Sequence, residues 1–136
     1  MTYAGARGDT EAQMAQTLHF TLGQDGLHPA FNALDLSMNS AGTGAGQGSF
    51  TLRAANSLWA QQDYTFLPAF LDLLGHNYGA GLRLVDYKDD ARREQARQAI
   101  NAWVSTETEK KIPELIGPGV LVAATRLVLA NAIYFK

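Results

Sequence analysis

The 136-residue sequence has no cysteine. That excludes disulfides and cysteine-ligated zinc, but it leaves the cellular compartment open. Charge is sparse as well. Asp, Glu, Lys and Arg make up 18% of the residues and the formal net charge is −2, so no bulk field draws the chain to nucleic acid or to an anionic membrane. No uncharged apolar run comes near the ~20 residues of a membrane span. The sequences G-x-S-x-G, H-E-x-x-H and the Walker loop are missing, and with them the commonest hydrolase, metalloprotease and nucleotide signatures. Residues 39–49, NSAGTGAGQGS, are rich in glycine but offer no G-x-G-x-x-G register and precede a strand, not a helix. They read as a surface loop. His19, His28 and His76 are not spaced as metal ligands and are expected at the surface or half-buried. Asp86, Asp89 and Asp90 lack the alternating ligands and glycine of a calcium loop and suit a helix N-terminus instead. The expectation is a non-enzyme with no catalytic residue, metal or cofactor.

What is present is an apolar content of 46%, enough for a folded core. The strongest stretch is residues 125–136, TRLVLANAIYFK. Its β-branched and aromatic composition predicts a strand buried on both faces. Leu127, Leu129, Asn131, Ile133 and Phe135 share one face; Val128, Ala130, Ala132 and Tyr134 share the other. Asn131 is the odd member of its row. It is either a satisfied polar group of the core or part of a functional polar cluster, because an unpaired buried amide costs about 1–3 kcal/mol.

Earlier in the chain, residues 1–4 close a helix with Gly5 as its cap. Thr10 to Gln13 fit a capping box opening the next helix. Residues 28–38 form an amphipathic helix with Phe31, Leu34 and Met38 on one stripe. A strand at 50–60, a short helix at 66–75 broken by Gly75, Gly79 and Gly81, and a strand at 82–87 suggest a crossover with parallel pairing. Asp89 or Asp90 caps a long helix that runs to about Lys111 and is ended by Pro113. Ala96, Ile100, Trp103, Val104 and Glu107 form its seam, while Arg92, Arg93, Glu94, Arg97, Glu109 and Lys110 form a solvated surface. Asn101, beside the seam, is expected to bond backbone groups.

Four blocks, in order, resemble the serpin family, whose members inhibit serine proteases as suicide substrates. They are MTYAGARGDTEAQM, with its Gly-Ala-x-Gly-x-Thr corner; FTLRAANSLWAQQDYTFLPAFLDLLGHNYGAGLRLVDY; QAINAWVSTETEKKIPELI; and TRLVLANAIYFK. The resemblance implies a mixed α+β fold: three strands of the family's large sheet, about five helices, and one long helix across the sheet packed through Ile100, Trp103 and Val104. It also implies a fragment, residues 1–136 being part of the N-terminal half of a single domain of well over twice this length, without the reactive loop or the C-terminal sheets. The N-terminus has no basic start or apolar core of a signal peptide, but in a fragment that says nothing of export. The resemblance favours an extracellular or periplasmic setting.

In the family, the sheet opens, a cleaved reactive loop inserts as a new strand, and the acylated protease is dragged across and distorted as a kinetically trapped fold relaxes. Asn131 matches the family's Asn in the "shutter" beneath that opening. The implied partner is a serine protease, met through a loop outside this sequence, so the fragment itself should not inhibit. In heparin-activated members the helix matching residues 28–38 is basic; here no Lys or Arg lies between Leu22 and Arg53, so no heparin site is expected. Self-association through the unpaired edge of the last strand is expected. The alternatives are a non-inhibitory serpin, carrier or chaperone, and an unrelated α/β module with a concave polar site.

Overall fold

The computed structural model describes residues 1–41 and 50–136; residues 42–49 of the glycine-rich stretch lie outside them. A 3-10 turn at Thr2–Gly5 leads into α1 (Gly8–Thr17) and α2 (Gln24–Ala41). Then follow β1 (Leu52–Gln61), α3 (Pro68–Tyr78), β2 (Gly81–Val85), α4 (Asp90–Glu107) and β3 (Leu127–Phe135). The strands form one mixed sheet in the order β2-β1-β3. β1 and β2 run parallel, as the intervening helix requires, with Ser57 opposite Gly81. β1 and β3 run antiparallel from Leu52 opposite Phe135 to Ala60 opposite Leu127.

Each face of the sheet has its own core. On one face α4 and the chain after it cover Trp59, Tyr87, Ala96, Ile100 and Leu121, with Val85, Trp103, Ile116 and Val128 at the margin. On the other, α3 and the first turn cover Leu58, Leu74, Ala80 and Ala4, with Leu127 and Leu129 against them. This is the mixed α+β arrangement expected from the sequence, with α4 touching all three strands.

Local details differ from expectation for identifiable reasons. Gly5 lies inside the 3-10 turn, and Ala6 in extended conformation ends it. Thr10 is not a cap: α1 begins at Gly8, whose φ of 59° needs glycine, and no side chain caps it. α2 runs from Gln24 through Pro29 to Ala41, so 39–41 are helical. Its stripe of Phe31, Leu34 and Met38 is exposed, because no described element packs over it. Gly75 is within α3, and only Gly79, left-handed at φ 57°, terminates it. α4 is capped by the Asp89 carboxylate, which accepts from Arg92 N at 2.8 Å. It stops at Glu107, before Pro113, because Glu109 and Lys110 turn left-handed.

Candidate functional site

The candidate site is the β3 strand with the elements above and beside it. On the α4 face, Ala130, Ala132 and Tyr134 are buried, and Val128 packs against the core beneath Ile100 and Trp103. Ile100 and Val104 are fully enclosed, and Trp103 is half-buried at the margin. On the α3 face the expectation of burial fails along half the strand. Leu127 and Leu129 are covered, but Asn131 is exposed, and Ile133 and Phe135 are 62% and 70% exposed. Among the described residues no element lies over that half of the row.

Asn131 is nevertheless bonded within the chain. Its Nδ2 donates to Asn56 Oδ1 at 3.0 Å, and it lies 3.4 Å from Ala55 O. Asn56, its direct cross-strand partner, donates in turn to Tyr78 O at 3.3 Å. A short amide relay therefore ties β3 to β1 and to the end of α3. β3 has no strand on its outer edge among the described residues.

The segment after α4 is fastened to the helix by two side chains. Asn101 Oδ1 accepts from Leu115 N at 3.0 Å and Ile116 N at 2.9 Å, while its Nδ2 donates to Ile116 O at 2.9 Å. Arg97, expected in solvent, is only 14% exposed at its side chain. It also donates to Ile116 O, at 2.9 Å, and it pairs with Glu94 and Glu114. The Arg97 guanidinium, with Gln98, holds the Glu94 carboxyl down to about 2. At the other end of the helix Asp86 is a hub, accepting from Gln61, Gln62 and Arg92. Gln61 is buried and closes the knot by accepting from Tyr87 N at 2.7 Å. The Tyr87 hydroxyl donates to Trp59 O, and burial pushes its ionisation up to about 12.

His28 departs from expectation because it is buried. Its Nδ1 is 2.6 Å from Tyr78 Oη, Tyr3 lies beside the ring, and Nε2 has no partner among the described residues. Desolvation, helped by the Met1 ammonium and Arg7, keeps its pKa below the usual histidine value. His19 and His76 are exposed. An open cleft of about 700 Å³ gathers Asp35, Asn56, His76, Arg83 and Glu107 between α2, α3, α4 and the sheet. Its one serine, Ser57, accepts from the Trp59 indole at 2.8 Å. Sequence reasoning missed the Asn56 amide and the Arg97 clasp. The first had a signal in the sequence, a second Asn on a neighbouring strand.

Residues 1–136 match a family model described as "Serpin (serine protease inhibitor)". The leukocyte elastase inhibitor of Sus scrofa is 46% identical over 136 residues, covering all of this chain and 34% of that protein. Among solved structures, a cleaved, loop-inserted ovalbumin mutant superposes with a TM-score of 0.79 at 28% identity, over 98% of this chain and 36% of that one. The native stressed conformation of Arabidopsis AtSerpin1 gives 0.78 at 30%, over 98% and 33%. The chain as a whole thus superposes about equally well on a loop-inserted and on a native form. The chain spans about a third of the length of the curated relatives it matches, and it belongs to the serpin family.

Proposed function

We propose that this chain is the sheet-opening part of an inhibitor of serine endopeptidases, one that traps its target by taking a cleaved loop into the sheet beside β3. The observation that carries the reading is the family match across all 136 residues, with relatives named for elastase inhibition. Among the described residues no strand pairs with the outer edge of β3, and backbone N–H and C=O groups on such an edge accept a further strand, which is what the reading requires. Asn131 and Asn56 would act as the shutter, holding β3 to β1 while the other edge of β3 accepts or releases a strand. Ile100, Trp103 and Val104 would have to yield as the sheet moves beneath α4.

The test uses the complete reading frame that contains this sequence, incubated with elastase-like, chymotrypsin-like and trypsin-like serine proteases. A denaturant-resistant covalent complex with one of them is expected. Cleavage by all three with no such complex, and no loss of protease activity, would reject inhibition.

A further inference from the structure

The C-terminal end of α4 turns through a backbone conformation that residues with a Cβ disfavour. Glu109 and Lys110 are both left-handed, at φ 49° and 63°. The turn is held from within. Lys110 N donates to Ser105 O at 2.6 Å. The buried Thr108 hydroxyl donates to Val104 O at 2.8 Å and accepts from Ile112 N at 3.2 Å. The effect is to carry Glu109 down to β3, where Oε2 accepts from the Tyr134 hydroxyl at 2.7 Å. Arg53, directly across from Tyr134 on β1, lies 6.0 Å from the centre of its ring. Among the described residues this is the only side-chain hydrogen bond joining β3 to the segment between α4 and β3. Among the described residues no side-chain hydrogen bond joins α4 itself to β3, and the packing of Val128 against the core beneath α4 is apolar and non-directional. The opposite end of α4 is tied to the end of β2 by Arg93 donating to Tyr87 O at 2.8 Å and by Arg92 paired with Asp86.

We propose that Glu109 and Tyr134 form a latch fastening the far end of α4 to β3, with the Glu109–Lys110 turn cocked to relax when the latch opens. α4 then lifts from that end and pivots at its Asp89-capped start. The purpose of such a latch rests on the sheet-opening function proposed above, but its existence does not.

Amide hydrogen exchange tests it on the complete protein that contains this sequence, without protease, using Tyr134→Phe, Glu109→Ala, the double variant and Lys110→Gly. Each single change should accelerate exchange about tenfold both at 104–108 in α4 and at 133–135 in β3, leaving 90–95 unchanged, because one charge-assisted bond serves both segments. The double variant should be no faster than either single one. Lys110→Gly should slow exchange at 104–108 and raise the melting midpoint, since glycine accepts a positive φ. Glu109 is exposed, so Glu109→Ala, which removes the acceptor, carries the test if Tyr134→Phe does not fold. Acceleration in one segment only, additive effects in the double variant, or a lower midpoint for Lys110→Gly would overturn the latch. Linked exchange in a protein that fails to inhibit would leave the latch standing and remove only the sheet-opening function.

Discussion

The two rows of β3 alternate residue by residue, yet they live in different environments. Val128, Ala130, Ala132 and Tyr134 meet α4 and the segment after it along the whole strand. Leu127 and Leu129 are covered by α3, and from Asn131 onward their row is open. The covered row is closed by both apolar contact and polar ties; Asn101, Arg97 and Glu109 each place a hydrogen bond where the backbone or a buried hydroxyl needs one. Among the described residues the side-chain polar ties of the open row are those of the Asn131 amide, to Asn56 Oδ1 and Ala55 O. One strand thus has a side closed along its length and, among the described residues, a side left uncovered from Asn131 onward.

That contrast can be broken most forcefully at Ile100, which is wholly buried under the helix across the sheet. Ile100→Ala should destabilise the chain by about 2–5 kcal/mol, through lost burial and the cavity left behind. A chemical-denaturation midpoint unchanged from the parent would show that α4 does not hold the covered row. Asn101→Ala comes next. It strands the Leu115 and Ile116 amides and removes one donor from Ile116 O, so a loss of about 1–3 kcal/mol is expected. Equal stability of the variant would mean that Arg97 alone fastens the segment. The smallest effect should be at Ile133. Ile133→Ser on the open row should shift stability by roughly 0.5 kcal/mol or less, while sedimentation velocity shows less self-association of the chain. A large loss of stability there would mean that the row is covered after all.

The sequence disclosed β3, its alternation and the parallel crossover, because side-chain period and element order are local properties. It did not disclose the open half-row. Period two says which residues share a face, not whether another element reaches it, and the exposed stripe of α2 misled for the same reason. Asn101 was readable as a backbone partner because a polar residue beside an apolar seam has few other uses. Arg97 was not, since a charged residue in a charged helix gives no hint that a carbonyl nineteen positions later needs it. The burial of His28 comes from contacts with Tyr3 and Tyr78, which no local spacing records. α4 ends earlier than the sequence predicts because two left-handed residues, Glu109 and Lys110, end the helix without the glycine that ordinarily announces such a turn.

The Asn131–Asn56 pair also identifies how the two strands must be aligned. Sliding β3 by one position would turn Asn131 toward Ile100 and its neighbours, where an amide has no partner. Sliding it by two would set it opposite Ala54 or Leu58 instead of Asn56. An antiparallel pair rich in alanine and leucine tolerates several alignments on packing grounds alone; these two amides make one of them distinguishable from the rest.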